Sequence, residues 1–329
     1  MGSRLAAVTG ATGFLGLYIV RALAASGWQV RILARRAPDS ARPGDPPVDT
    51  VIGDLSDRRA LRELVDGAGI VVHAAGLIKA PNLAAFRAVN VGGTANLVDA
   101  LGDCRPGAHL VLVSSMAARE PHLSAYAATK REGEQVVAAG LRGHGWTTVR
   151  PCAVYGPSDR ETLAIFRAAA RRVLPLPGPR NGRLGLIHAA DAADAIASLC
   201  DRGPAGRVFE LTDQRVEGYG WPEIIAAIDS AMGTKLLVLP LPGMAVRAAA
   251  VMNTVAAKLT GRTAILTPGK AREILHGDWG SAADRQPSPE IWRPKIGLND
   301  GFRDTVSWYR EQSWLPPAPS RPLAAGVAR

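Results

Sequence analysis

The stretch Thr9-Gly10-Ala11-Thr12-Gly13-Phe14-Leu15-Gly16 follows the apolar run Leu5–Thr9 and opens a run of helical periodicity, Leu15–Ser26. Glycine has three uses in such a strand–turn–helix joint. Gly10 permits the tight turn, Gly13 lets the backbone approach a pyrophosphate, and Gly16 lets the helix pack close to the strand. The amide donors of the helix N-terminus then face the anion. Gly10, Thr12, Gly13, Phe14 and Leu15 are therefore candidate contacts to a dinucleotide.

Outward from this joint the pattern repeats. Strand-like runs at Gln29–Ala34, Val48–Ile52, Ile70–Ala74, His109–Ser114 and Thr147–Arg150 alternate with helical stretches at Arg58–Val65, Leu83–Leu101 and Ser124–Leu141. Near-continuous apolar strands between helices predict a parallel sheet covered on both faces, a Rossmann-type doubly wound α/β fold. After Pro151 the rhythm changes. Leu174–Gly182 reads as a Pro/Gly-rich loop, Leu184–Ile187 and Val208–Leu211 as short strands, and 222–232, 243–260 and 301–314 as helices. Residues 1–155 are thus expected to form the dinucleotide-binding domain, with returning segments near 184–215. Residues 156–183 and 216–315 would form a smaller C-terminal substrate lobe, and 316–329 a mobile tail.

Of the 329 residues, 47% are hydrophobic and 21% charged, which excludes general disorder. Cys104, Cys152 and Cys200 are an odd, widely spaced trio without a CxxC, so a disulfide scaffold is excluded and buried thiols are expected. The histidines at 73, 109, 122, 144, 188 and 276 lack metal-ligand spacing, and no metal is expected. The net charge of +10 comes mostly from 33 scattered arginines without long basic tracts or interleaved aromatics, a poor fit to nucleic acid. No charged n-region flanks Leu5–Val20, and Leu236–Met252, the best membrane candidate, is broken by Pro240, Pro242 and Arg247. A cytoplasmic location is expected, with room for peripheral contact at the inner face of a membrane and for a homodimer.

Where NAD-preferring dinucleotide folds carry an acid at the end of the second strand, this chain has Ala34-Arg35-Arg36. Two guanidiniums suit a 2′-phosphate, so NADP(H) is expected in preference to NAD(H), unless both simply face solvent. Asp54 and Leu55, after the third strand, are placed to flank an adenine, and Ala74-Ala75-Gly76 offers the small residues that a backbone passing under a cofactor requires.

At the chemical end, Ser114-Ser115 closes the fifth strand and Tyr126-Ala-Ala-Thr-Lys130 opens the next helix. The i, i+4 spacing puts phenol and ammonium on one helix face. A lysine there is expected to lower the phenol pKa and make Tyr126 a general acid/base, with a strand-final serine holding the substrate oxygen.

These residues resemble the short-chain dehydrogenase/reductase superfamily, in particular its extended, epimerase/dehydratase group. Thr9–Gly16, Asp54, His73-Ala74-Ala75, Asn90–Thr94, Ser115, Tyr126 with Lys130, and Arg150-Pro151 through Val154–Pro157 match in order, and Ile187-His188 with Asp191 extends the match into the second lobe. The resemblance implies that Ser115 rather than Ser114 is the catalytic hydroxyl and that Tyr126 donates the proton. It also implies that Lys130 holds the nicotinamide ribose and that Tyr126, Lys130, Pro151 and Val154 touch the cofactor.

Tyr126 follows Ser115 by only eleven positions, so the loop that helps enclose a sugar in nucleotide-sugar relatives is short, and Ala190 precedes Asp191 where those relatives often carry an acidic pair. Both departures favour simple ketone/alcohol redox over sugar epimerisation or dehydration with bound NAD; a non-catalytic accessory role ranks last, because the chain keeps both Tyr126 and Lys130. The segment between Ser114 and Lys130 is similar to bacterial reductases linked to sphingolipid synthesis, which implies a 3-keto sphingoid base or keto-ceramide; a steroid-like ketone would use the same physics. Met244, Ala248, Val251, Val255 and Leu259 form one apolar stripe, beside Arg247, Thr254 and Lys258. Such a stripe is expected to pack on the core, or alternatively to admit a lipid substrate from a membrane. His188 is expected to be structural, Asn90 to brace the cofactor pocket, and Arg119 and Tyr155 to lie near the site.

Overall fold

The computed structural model describes residues 4–37, 45–103, 108–141, 145–179, 181–260 and 264–318. Cys104, His144 and the tail beyond residue 318 lie outside the described residues. The first half runs β1 (Leu5–Thr9), α1 (Phe14–Ala25), β2 (Gln29–Ala34), β3 (Val48–Ile52), α2 (Arg58–Val65), β4 (Ile70–His73), α3 (Leu83–Arg87), α4 (Thr94–Gly102), β5 (His109–Val113), α5 (Ala125–Gly140) and β6 (Trp146–Pro151). The second half comprises β7 (Ala153–Tyr155), α6 (Leu163–Ala170), β8 (Val173–Pro177), β9 (Arg183–Leu184), β10 (Leu186–His188), α7 (Ala189–Arg202), β11 (Val208–Leu211), β12 (Tyr219–Gly220), α8 (Trp221–Met232), β13 (Leu237–Leu241), α9 (Gly243–Thr260), α10 (Pro268–Leu275), β14 (Asp278–Trp279) and α11 (Leu298–Glu311).

Seven parallel strands form one sheet in the order β11-β6-β5-β4-β1-β2-β3. The chain starts at β1, winds outward through β2 and β3, then returns to β4 on the other side of β1. Ligands bind at that reversal, beyond the carboxyl ends of β1 and β4. One face of the sheet is covered by α1 and α7, with Ile19, Leu23, Val72, Ile196 and Leu199 among the buried side chains. The other is covered by α2, α4 and α5 through Leu61, Leu64, Leu97, Leu101 and Val137. A third apolar cluster joins α6, α8 and α11 around Phe166, Ile228, Phe302 and Tyr309. The predicted doubly wound α/β fold is the one observed.

Three sequence expectations change. Leu174–Gly182 is not simply a loop, because Val173–Pro177 pairs in parallel with β13. Proline is tolerated there because each strand of this two-stranded ribbon is an edge. The run Leu83–Leu101 is not one helix either. A π-helical turn, Ala88–Gly93, separates α3 from α4, as such turns often do at functional sites. Finally, the stripe Met244–Leu259 does not pack on the core; the buried face of α9 is instead Val246, Ala250 and Ala257, the first two packed with Ala271 of α10 in a small cluster of their own.

Candidate functional site

The glycine turn is built as its sequence requires. Gly10 has φ +75°, and a Cβ there would lie 2.5 Å from the Ala75 amide nitrogen, so only glycine lets the end of β1 meet the end of β4. A Cβ on Gly16 would run into the Gly10 carbonyl. Gly13 caps α1 without a side-chain hydrogen bond, so the first amides of a twelve-residue helix point beyond the sheet. This uncapped end beside a turn that admits no side chain fits the pyrophosphate of a dinucleotide.

Thr12 and Gly13 are exposed at the turn, while Phe14 and Leu15 are half-buried, Phe14 edge-on to Tyr18. Val154, on β7, joins Leu15 and Ala74 against the same apolar cluster. Arg35 and Arg36 are exposed at the end of β2. The Asp54 carboxyl is held below the usual carboxylate range by the hydroxyl and amide of Ser56, with Arg35 adding to the effect. Leu55 packs where a Cβ on Gly93 would stand. Neither Arg36 nor Pro151, which is buried at the end of β6, is tied to the other site residues by a hydrogen bond or ion pair among the described residues.

Ser114 and Ser115 lie just past β5 and take different partners. The Ser114 hydroxyl donates to Glu134 at 2.6 Å, in a buried cluster where Arg150 grips the same carboxylate through two bonds of 2.8 and 2.6 Å. Ser115 is extended; its hydroxyl accepts from the Ala117 amide at 3.2 Å and hydrogen-bonds the Tyr126 hydroxyl. Ser124 caps α5 by accepting from the Ala127 amide, which sets Tyr126 in the first turn and Lys130 one turn later. The Lys130 ammonium donates to the Val113 carbonyl at 2.8 Å, close to Gly76.

The charges do not follow the sequence expectation for Tyr126. Burial pushes the phenol up to about 12, opposed by the Ser115 hydrogen bond and reinforced by the Glu273 carboxylate. Lys130 is bonded to a backbone carbonyl instead of lowering the phenol, and burial brings its own value down to about 8. Tyr126 is therefore a proton-bearing group at neutral pH.

Behind these residues, Asn90 sits in the π-helical turn, accepts from the Leu77 amide at 2.7 Å, and donates to the Leu77 carbonyl and to Thr129. It braces the 76–77 backbone against α5, as expected. His73 lies between the hydroxyls of Thr9 at 2.6 Å and Thr94 at 2.9 Å, and burial pushes it down to about 3, so it stays neutral.

Residues 6–212 match the family described as the NAD dependent epimerase/dehydratase family. The chain belongs to that family. It is 44% identical over 311 residues to the ceramide reductase of Caulobacter vibrioides, covering 94% of this chain and 96% of that one. It is 29% identical over 308 residues to a 4-hydroxy-2-methyl-3-oxo-4-farnesyl-3,4-dihydroquinoline-1-oxide ketoreductase of Stigmatella aurantiaca, covering 82% of this chain and 90% of the relative. Among solved structures, that of gox2253 superposes with TM-score 0.75 at 22% identity over 95% of this chain and 100% of that one. The protein is an NAD(P)-dependent oxidoreductase.

Within this family member, several further residues have structural positions. His188 caps α7, accepts from the Ala190 amide, and lies 3.3 Å from Asp304. Tyr155 is fully buried, edge-on to His188 and Phe302. Arg119 donates to the carbonyls of Gly280 and Asp278 and lines a cavity of about 440 Å³ with Arg131, Arg150, Glu210 and Arg285. Glu273 of α10, which the sequence reading missed, is buried and accepts from Ser124, beside Tyr126. No local motif points to it, because 149 residues separate the partners.

Proposed function

We propose that the protein reduces a ketone to an alcohol on a hydrophobic, lipid-like substrate, with NADPH preferred over NADH. The observation that carries this reading is the near-full-length similarity to a ceramide reductase; a keto-ceramide or 3-keto sphingoid base is the substrate class it favours. A nicotinamide cofactor held by its pyrophosphate at the glycine turn would supply a hydride to the carbonyl carbon. The chain's own residues handle the oxygen. Ser115 donates a hydrogen bond to the carbonyl oxygen, and the protonated Tyr126 hydroxyl beside it gives up its proton as negative charge develops there. Lys130 supplies a positive charge one helical turn away and a donor for the ribose. The exposed guanidiniums of Arg35 and Arg36 support recognition of a 2′-phosphate. A substrate of this kind resides in lipid, which supports a peripheral location at the inner face of a membrane.

The reading is tested by following NADPH and NADH oxidation with detergent-dispersed keto-ceramide, 3-keto sphingoid and steroid ketones, beside small polar ketones and nucleotide sugars. Turnover on the apolar ketones with NADPH is expected. Turnover confined to polar ketones or nucleotide sugars, or tightly held NAD⁺ in the purified protein, would refute it.

A further inference from the structure

Helix α9 turns its apolar stripe away from the protein. It buries only Val246, Ala250 and Ala257, and the first two pack against Ala271, Leu266 and Leu275. At roughly 100° per residue, Met244, Val251, Val255 and Leu259 fall on the opposite side. Their exposures are 79%, 54%, 51% and 82%. Immediately before the helix, β13 carries Leu237, Leu239 and Leu241 at alternate positions, hence on one side of the strand, all exposed. Exposed large apolar side chains gathered on two successive elements mark a site of contact.

Charge decides what covers it. Between Asp229 and Glu273 the sequence has no acidic residue at all, while Lys235, Arg247, Lys258, Arg262, Lys270 and Arg272 are basic. Arg247 and Lys258 are eleven residues apart, about three turns, so they lie in line along one flank of the exposed stripe. A second copy of this chain would bring two such cationic surfaces together and be repelled. An anionic surface with an apolar interior matches both properties. No helix is long and apolar enough to cross a membrane, among the described residues.

We propose that α9 and β13 dock in the plane of an anionic lipid bilayer, with the apolar stripe at the acyl boundary and Arg247 and Lys258 at the headgroup phosphates. The docked face is one helix away from the chemistry. Helix α10 packs on α9, and its Arg272 donates to the Leu123 carbonyl while Glu273 accepts from Ser124, two residues before Tyr126. The surface deepens the lipid-ketone reading by giving its substrate a route from the bilayer.

The test is co-sedimentation of the full chain with phosphatidylcholine vesicles, with and without about one-third phosphatidylglycerol. Binding to the anionic vesicles is expected. Arg247→Gln/Lys258→Gln should weaken it about 30-fold, roughly five-fold per charge. Val251→Glu/Val255→Glu should weaken it at least ~10-fold. All four side chains are exposed or flank the exposed stripe, so melting temperatures should stay near wild type. Failure of the wild-type chain to bind, wild-type binding by the charge variant, or a dimer broken by the glutamate substitutions would each overturn the proposal. Turnover of detergent-dispersed ketone is measured in parallel. Vesicle binding without turnover would count against the reductase reading alone, and turnover without vesicle binding against the docking surface alone.

Discussion

Replacing Ser115 by alanine should remove turnover while replacing its neighbour Ser114 should mainly remove stability. The Ser115 hydroxyl bonds Tyr126 and is free to meet a substrate oxygen, so Ser115→Ala should lower kcat about 10²–10³-fold, the usual effect of deleting one donor to a developing oxyanion. Its cap on the Ala117 amide adds a stability loss of about 0.5–2 kcal/mol. Ser114 instead donates to Glu134 at 2.6 Å inside the protein. Losing a hydrogen bond to a buried charged group costs about 1.5–3 kcal/mol. Glu134 keeps its two bonds to Arg150, so the upper part of that range is not reached. At about 1.5 °C per kcal/mol for a chain of this length, Ser114→Ala should melt roughly 2–4 °C lower. Both variants are followed by NADPH oxidation with an apolar ketone and by thermal unfolding. The stability losses overlap, so turnover is the discriminating measurement. A Ser114→Ala variant that loses turnover while Ser115→Ala keeps it would refute the division of labour between the two hydroxyls.

Tyr126→Phe should lower kcat about 10²–10⁴-fold with NADPH affinity within a few-fold of wild type, read by turnover and fluorescence titration, since only a proton donor is removed. Turnover that depends on the Lys130 ammonium should be highest below about pH 8 and fall as pH rises through that value, because the depressed pKa means the charged form is the low-pH form; a kcat profile flat to pH 10 would contradict this. Arg35→Ala should cut the NADPH-over-NADH preference about ten-fold or more, the value of one charge-assisted hydrogen bond, measured as the ratio of the two dissociation constants.

Most strands of the sheet were legible as short, largely apolar runs, Leu5–Thr9, Ile70–His73 and His109–Val113 above all, bounded by glycine, polar residues or a helix start. The cofactor cradle was legible because the strand–turn–helix joint that calls for its glycines is contained in Thr9–Gly16, where Gly13 and Gly16 answer to the Gly10 carbonyl, even though Gly10 itself is pressed by Ala75 at the adjoining strand end. What failed was everything decided by a distant partner. The pattern of α9 gives two candidate faces, and the face of Val246 and Ala250 is the buried one because Ala271, Leu266 and Leu275 lie against it. Val173–Pro177 is a strand only because β13 lies beside it. The π-helical turn at Ala88–Gly93 leaves the periodicity of Leu83–Leu101 nearly intact, yet it is what puts the Asn90 amide opposite Leu77.

The same distinction bears on the chemistry. A YxxxK spacing places phenol and ammonium on one helix face, but not the medium around them, and here the medium sets the protonation state of the phenol. Residues 116–126 are covered by the segment 269–280. A Cβ on Gly269 would stand 2.9 Å from Ser124 Cβ, Arg272 holds the Leu123 carbonyl at 2.7 Å, and Trp279 donates to the Glu273 carbonyl at 3.0 Å. That cover encloses Tyr126 and sets a carboxylate near it, and both effects disfavour the phenolate. A phenol held in its protonated form is suited to giving a proton to a nascent alkoxide, and poorly suited to removing one from an alcohol. The short segment between Ser115 and Tyr126 and the helix α10 that closes over it thus hold the phenol in the protonated form that carbonyl reduction requires of it on the proposed reading. They come from parts of the chain about 150 residues apart, which is why the residues of the motif alone leave that protonation state open.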